Sequence, residues 1–213
     1  PVIAAISSFY KSARFKFLQI FVAQPSISLE IIGTNQDIRF YISVPSKYRD
    51  LIEKQIYSIY AGADIQAVDD ANIFSENGKV ESAWLGLKKV AYYPLKTYKE
   101  IPTDTLSAFT SVLSKLSPEE AVAIQLILSP VDSAWAKSGK SFISGTKKSE
   151  SNPEKASYKV NARQLEAIEN KCNKPGFEVV IRIVAVAPTT EVAKVNLSNV
   201  KACFGQLESP WNK

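Results

Sequence analysis

The sequence contains no histidine among its 213 residues. This absence removes the commonest general base, the commonest metal ligand and every catalytic pair of serine or cysteine with histidine. Glycine is also sparse, with eight residues. Neighbouring carboxylates such as Asp69 with Asp70, or Glu119 with Glu120, point apart on a strand or helix and do not build an acid–base pair. The sequence therefore predicts a protein that is not an enzyme, without a cofactor or metal site.

Cysteines and long apolar runs are scarce as well. Cys172 and Cys203 are too few for a Cys-only zinc site or a disulfide framework, which favours a reduced, cytosolic compartment. The apolar run FKFLQIFVA at 15–23 is shorter than the roughly 18 residues of a membrane span and carries Lys16 and Gln19. No signal peptide is visible. Any membrane contact would need an anchor outside this sequence.

The chain does contain enough apolar residues for a globular core. Hydrophobic residues make up 46% of the sequence and aromatic residues 10%, which suits one large domain or two small ones. The chain starts at Pro1 and stops at SPWNK, with neither a methionine nor a tail. We interpret it as a segment of a longer polypeptide.

A modest basic excess includes two clusters of lysines, one in KSGKSFISGTKKSESNPEK (137–155) and one near 88–99. The net charge is +5, enough for weak attraction to nucleic acid or anionic lipid. Four lysines interleave with tyrosines between residues 88 and 99: Lys88, Lys89, Lys96 and Lys99, with Tyr92, Tyr93 and Tyr98. Such interleaving can bind single strands, so these lysines are candidate DNA contacts. A solvated surface over half-buried tyrosines is the alternative.

An internal repeat divides the sequence into two halves, each of which reads helix, strand, strand, helix. In the first half, AAISSFY, ISLEIIGT and DIRFYISVPSKYRDLIEKQIYSIYAGA follow one another at 4–10, 27–34 and 37–63. In the second half, the matching stretches are SAFTSVL, VAIQLILS and FEVVIRIVAVAPTTEVAKVNLSNVKACFGQL, at 107–113, 122–129 and 177–207. We expect two similar units, residues 1–100 and residues 101–213.

The two halves agree in register at matched arginines and prolines. Arg39 lies six residues before Pro45, and Arg182 lies six residues before Pro188. A serine or threonine that can cap a helix follows each proline. Both arginines fall on the polar side of a strand, where such residues usually serve as cross-strand charge partners instead of ligand contacts.

The spacing of apolar residues assigns the elements of each unit. Alternation typical of a half-buried strand is found at Ile38, Phe40, Ile42 and Val44, and again at Phe177, Val179, Ile181 and Ile183. Helical spacing is found at Tyr48, Ile52, Ile56 and Ile59, and again at Ala193, Leu197, Val200 and Phe204. The predicted fold is α+β, a tandem duplication with antiparallel sheets covered by helices in ferredoxin-like layers.

Four further segments complete the predicted organisation. DIQAVDD (64–70) and AWLGLKKVAYYPL (83–95) look like additional strands, and ARQLEAIENK (162–171) looks like a short helix. Residues 137–157 are mostly serine, lysine, glycine and glutamate with almost no large apolar side chain. We therefore expect 137–157 to be a flexible insertion.

The stretch AWAKSGKS (134–141) fits a loose phosphate-loop pattern. A phosphate loop needs a buried strand before a glycine-rich turn and a helix N-terminus after it. Upstream, Pro130 and Asp132 break the strand early, and downstream we see no apolar repeat at helical spacing. We therefore expect this motif not to bind nucleotide.

Several stretches resemble the region preceding the motor domain in type IV secretion and conjugation-type ATPases. They are the regions 38–70 and 174–207 with the segments YYPLKTY and SPVDSAW, and the similarity extends from about 27 to 207. It is greatest to large, membrane-associated, coupling-protein-like ATPases of candidate-phylum bacteria with small genomes. The resemblance implies a non-catalytic accessory domain between a membrane anchor and an ATP-hydrolysing motor whose phosphate loop lies beyond residue 213.

This resemblance also implies the partners and the location. They are the motor domain of the same polypeptide, a homo-oligomer and DNA, at the cytoplasmic face of the inner membrane. A stand-alone nucleic-acid-binding module is the alternative, because sheets of this kind can present exposed aromatic residues to RNA. Tyr41 is a candidate for that role, but its counterpart in the repeat is Val184. An enzyme of unknown type is the third hypothesis.

Overall fold

One antiparallel sheet organises the protein in the computed structural model, which describes residues 6–11, 24–35, 37–69, 71–150 and 161–213. The strands are β1 (Ile27–Thr34), β2 (Asp37–Ser43), β3 (Lys79–Leu85), β4 (Ala121–Pro130) and β5 (Phe177–Ala187). The α-helices are α1 (Arg49–Ile59), α2 (Thr105–Leu113), α3 (Ala134–Glu150), α4 (Ala162–Cys172) and α5 (Thr190–Cys203). Single 3-10 turns lie at Ser46–Tyr48 and Phe204–Leu207. The fold is α+β, as predicted.

The strand order is β2-β1-β4-β5-β3, and every neighbouring pair is antiparallel. Because side chains alternate along a strand, the register divides the sheet into two faces. One face, here called the covered face, packs against helices α1, α2 and α5. The other, here called the outer face, carries Glu30, Tyr41, Gln125, Arg182 and Trp84 in one row across all five strands.

Two apolar clusters fill the covered face. Towards one end of the sheet, Ile124 and Ile183 of the central strands pack with Leu113 of α2 and Val200 of α5. Towards the other end, Ile52 of α1 packs among residues that include Ile6, Phe9, Ile27 and Leu128. The predicted apolar stripe of α5 is thus confirmed as its buried side. In the stripe predicted along α1, Ile52 is buried and Ile56 is partly buried, but Ile59 is 42% exposed. Among the described residues, no helix has the length and apolar character to cross a membrane.

Strands from both predicted units join this single sheet. β1 of the first unit pairs with β4 of the second, and β3 pairs with β5. Arg39 and Arg182 both lie on the outer face of the second strand in their units. Pro45 and Pro188 each precede a helical segment. The matched residues therefore occupy matching elements, although we expected separate sheets and the structure has one.

The expectation of a flexible insertion at 137–157 is wrong for residues 137–150. These residues belong to α3, which pairs with α4 as a helical hairpin. The hairpin encloses its own apolar cluster, in which Ile143 of α3 packs with Leu165 and Ile168 of α4. Tertiary packing stabilises this helix despite its many serines and glycines, because packing routinely overrides propensity. Residues 151–157 lie outside the described residues.

Two other expectations differ from the structure. Residues 64–69 form no strand, and Asp70 lies outside the described residues. The predicted strand at 83–95 is instead the end of β3, followed from residue 86 by irregular chain. The helix predicted at ARQLEAIENK is confirmed as α4, capped by the Asn161 side chain, which accepts from the backbone N–H of Arg163. FKFLQIFVA lies outside the described residues.

Two glycines of α3 provide a matched test of its packing. A Cβ atom on Gly139 would clash with Cys172 Sγ and lie 2.9 Å from Tyr92 Cβ, whereas one on Gly145 would meet nothing within 4 Å. We expect Gly139→Ala to lower the free energy of unfolding by about 1–3 kcal/mol through overpacking. Gly145→Ala should raise it by about 0.5–1 kcal/mol, because alanine favours the helix.

Denaturant unfolding of the two variants and the wild type measures both effects. Stabilisation by both substitutions would contradict the tight contact of α3 with α4. If neither substitution changed stability, the helix itself would be in doubt.

Candidate nucleic-acid interface

The four candidate lysines lie on an irregular segment, residues 86–100, that follows β3 directly. All four are exposed: Lys88, Lys89, Lys96 and Lys99. Tyr92 and Tyr93 between them are half-buried against Phe142 of α3: Tyr92 stacks on its ring at 5.3 Å between centroids, and Tyr93 meets it edge-on at 5.8 Å. Tyr98, in contrast, is 78% exposed. The lysines therefore flank a half-buried pair of tyrosines, while Tyr98 is exposed and can contact a ligand.

Backbone hydrogen bonds fix this segment to the last residues of the chain. The backbone N–H of Lys88 donates to the Lys213 carbonyl at 2.7 Å, and that of Lys96 donates to the Leu207 carbonyl at 2.9 Å. Ser209 Oγ donates to the Pro94 carbonyl at 2.7 Å. Residues 86–100 thus have a defined path even though they contain no regular strand or helix.

Asn212 is the central residue of this attachment. It is 2% exposed, and its Oδ1 accepts from the backbone N–H of Lys89 at 2.9 Å and of Lys213 at 3.0 Å. Its Nδ2 donates to the Tyr93 carbonyl at 3.1 Å. A buried amide that satisfies both its oxygen and its nitrogen in this way holds both chain segments in one geometry.

Two lysine side chains lie close to Tyr93, one from the segment itself and one from α4. Lys89 Nζ lies 5.7 Å from the centre of the Tyr93 ring, and Lys171 Nζ of α4 donates to the Tyr93 carbonyl at 3.3 Å. Burial lowers the pKa of the Lys171 ammonium below its ordinary value. Burial and the neighbouring Tyr92 raise the pKa of the Tyr93 hydroxyl. Lys171 therefore contacts the segment on its partly buried side, while the four candidate lysines are exposed.

A hydrogen-bonded turn between Thr97 and Glu100 sets the spacing of Lys96 and Lys99. Glu100 Oε2 accepts from the backbone N–H of Thr97 at 2.8 Å and from Thr97 Oγ1 at 3.0 Å. These hydrogen bonds, with a smaller contribution from the charge of Lys96, lower the pKa of the Glu100 carboxyl. The turn stays closed while Glu100 is ionised, so the spacing of the two lysines is fixed near neutral pH.

The outer face carries an aromatic and basic pair that the sequence analysis missed. Trp84 on β3 is 68% exposed and lies opposite Arg182 on β5, whose Cζ is 5.6 Å from the indole ring. Arg182 Nε is buried and has no hydrogen-bond partner among the described residues. The alternation of Val80, Ser82 and Trp84 was the signal that could have identified this face.

The two arginines do not form the cross-strand charge pairs that we expected. Arg39 forms its ion pair with Asp37 of its own strand, with Nε 2.7 Å from Oδ2. Arg182 stands between Gln125 and Trp84, neither of which is charged. Tyr41 lies in the same row at the far edge. The row is therefore polar and aromatic more than ionic.

The stretch AWAKSGKS does not have the geometry of a phosphate loop. Gly139, Lys140 and Ser141 lie within α3, which begins at Ala134. The backbone N–H groups of a helix interior are used by its own carbonyls and are not free to surround a phosphate. The expectation that the residues downstream of the motif form no helix is wrong for 142–150, but this helix contains the motif instead of starting after it. Among the described residues, no group of three or more Cys, Asp or Glu side chains could hold a metal ion.

A comparison with known protein families places the chain. The family described as Domain of unknown function (DUF8128) matches residues 6–211. The chain belongs to this family. No curated protein and no solved structure shows a significant match. The DUF8128 match includes the sheet, the apolar clusters and the lysine segment, and it ends just before Asn212 and Lys213.

Replacing Asn212 tests the attachment of the lysine segment. Asn212→Asp replaces the amide donor with an oxygen facing the Tyr93 carbonyl, so we expect the free energy of unfolding to fall by about 1–3 kcal/mol. Hydrogen exchange at residues 88–96 should accelerate more than exchange in the sheet. Asn170→Ala, an exposed position on α4, is the matched control. Unchanged exchange at 88–96 in Asn212→Asp would show that Asn212 does not hold the segment.

Proposed function

We propose that this DUF8128 domain is a non-catalytic accessory domain of a membrane-associated translocation ATPase of the type IV secretion and conjugation type. It acts in assembly and in the transfer of substrate to the motor. The motor domain of the same polypeptide is its first partner, and translocated DNA is its second. The support for the parent protein is the sequence resemblance over residues 27–207.

The observation that carries the DNA contact is the fixed lysine segment. Lys88 and Lys96 have their backbones hydrogen-bonded to the end of the chain, while their side chains are exposed. A backbone held in one conformation lets exposed lysines contact phosphates without first ordering the chain, which lowers the entropic cost of binding. An exposed aromatic ring, Tyr98, lies between Lys96 and Lys99 and can stack on an unpaired base.

Location follows from the same proposal. The resemblance favours a position at the cytoplasmic side of the inner membrane, held there by an anchor outside this sequence. Contacts to phosphates carry no base information, which suits a protein that transfers any sequence.

Neutralising the lysines tests the contact. We expect the Lys88→Ala/Lys89→Ala/Lys96→Ala/Lys99→Ala variant to bind single-stranded DNA at least about tenfold more weakly at low salt. The slope of log affinity against log salt should become shallower by roughly 0.7 for each phosphate that the variant no longer neutralises. Fluorescence anisotropy at two or more salt concentrations measures both quantities.

A control with exposed lysines elsewhere separates local contact from overall charge. Lys54 on α1 and Lys115 after α2 are exposed, and Lys54→Ala/Lys115→Ala changes the net charge as much as Lys88→Ala/Lys89→Ala. We expect the first pair to keep wild-type affinity and the second pair to bind more weakly. If both double variants bound DNA equally weakly, the effect would come from net charge alone. If the wild type does not bind even at low salt, the DNA contact is excluded and only the assembly role remains.

The outer face favours a second candidate, a stand-alone module that binds single-stranded nucleic acid. Trp84 with Arg182 and, at the far edge, Tyr41 provide two aromatic residues where the sequence analysis recognised one. They are four strand spacings apart, roughly 19 Å, so one base cannot contact both. Two bases of one nucleic-acid strand could contact them, one base on each aromatic residue.

Trp84→Ala distinguishes this module from binding by the lysine segment alone. If a base stacks on the indole, the binding free energy for single strands should weaken by about 1–3 kcal/mol, with the salt slope unchanged. Phe74→Ala, at an aromatic residue that is 60% exposed in the connection before β3, is the control. An unchanged affinity in Trp84→Ala would exclude the outer face. The protein is kept dilute in this titration, so that the affinity of the monomer is measured.

A further inference from the structure

β3 forms an edge of the sheet that nothing in the described part of the chain covers. Within the described residues it pairs with β5 alone, and β5 lies on one side of it. On its outer face, Val80 is 48% exposed and Trp84 is 68% exposed. A seven-residue strand with exposed apolar side chains and a free edge is a template for pairing with another strand.

The opposite edge of the sheet carries charged side chains on its outer face, and β3 does not. The outer face of β2 carries Asp37 and Arg39, joined in an exposed ion pair, and charges on an edge discourage pairing. β3 has no proline, and its register with β5 is continuous from Lys79 to Leu85, so no bulge twists the edge away. Its charged residues, Lys79 and Glu81, belong to the covered face.

The sequence of β3 is self-complementary about Ser82. In an antiparallel pair centred on Ser82, each Val80 stands opposite the Trp84 of the other strand, and all seven residues find a partner. Aromatic and β-branched residues opposite each other are favourable cross-strand pairs. Lys79 meets Leu85 and Glu81 meets Ala83, so no like charges are opposed. Gly78 and Gly86 flank the strand symmetrically.

Other registers give β3 less favourable cross-strand pairs. Centring on Glu81 places two glutamates opposite each other, which is destabilising. Centring on Ala83 leaves Lys79 and Val80 beyond the end of the partner strand. A shift by one residue sets outer-face side chains against covered-face side chains. The register centred on Ser82 is therefore the one that this strand favours.

We propose that β3 pairs with β3 of a second copy of this chain, about a twofold axis through Ser82, to form a continuous ten-stranded sheet. The axis is perpendicular to the sheet, so the helices of both copies lie on the same side. Lys194 of α5 lies 4.0 Å from Glu81 on the covered face, so the charge of Glu81 is balanced within its own copy. The dimer belongs to the small, weak class of interfaces and forms at high concentration. It does not depend on the proposed function.

A charge-swap experiment at Ser82 tests this register. Ser82 is exposed, and only a pair centred on it brings residue 82 opposite residue 82. The wild type should sediment at twice 23.5 kDa at high concentration and dissociate on dilution. Ser82→Lys and Ser82→Glu should each dimerise roughly tenfold or more weakly, because like charges are opposed. An equimolar mixture of the two variants should recover dimerisation at least to the wild-type level.

Sedimentation equilibrium measures all four samples, and Ser43→Lys is the control. Ser43 is an exposed residue at the end of β2, on the opposite edge, so this variant should dimerise like the wild type. A wild type that stays monomeric at about 1 mM overturns the proposal. Dimerisation of Ser82→Lys at the wild-type level, or a mixture that recovers nothing, overturns the proposed edge and register.

Discussion

Pairing of β4 with β1 on one side and with β5 on the other joins the two halves of the chain. Every other feature of the domain depends on this central contact. Because β5 is fixed next to β4, β3 can add to its free side, and the lysine segment starts where β3 ends. The same β5 leads into α5 and then into residues 205–213, which return to hold that segment. Disruption of the β3–β5 pairing would therefore separate the lysines from their attachment.

Local pattern in the sequence was sufficient for several elements. The alternation around Ile38 and Ile183 identified strands, and the stripe at Ala193 and Leu197 identified the buried side of a helix. It was not sufficient for α3, because this helix packs through Ile143 against Leu165 and Ile168 of α4, which are distant in sequence. Nor could it decide between two sheets and one, since a strand shows which side is apolar but not which strand it pairs with.

The candidate site shows the same division. The four lysines could be named from the sequence, because basic and aromatic interleaving is a local signal. Their attachment could not, since Asn212 and Tyr93 are 119 residues apart. Trp84 was missed for a different reason: it was included in a longer predicted strand, 83–95, whose pattern hid the alternation of the real one. Its partnership with Arg182 required the β3–β5 register.

The shared edge and the lysine segments have a geometric relation that bears on how such a domain would hold DNA. In an antiparallel pair of β3 strands, the two segments leave from opposite ends. The first residue of each segment, Gly86, lies eight residue positions from its counterpart along the paired strands, roughly 27 Å at about 3.4 Å per residue, which is close to the length of about eight nucleotides at about 3.4 Å per phosphate in one strand of a duplex. One DNA strand could then contact both segments, and the second contact would be intramolecular. A dimer whose subunits each bind DNA weakly would thus bind DNA more tightly than a single subunit. By thermodynamic linkage, bound DNA would in turn strengthen the dimer.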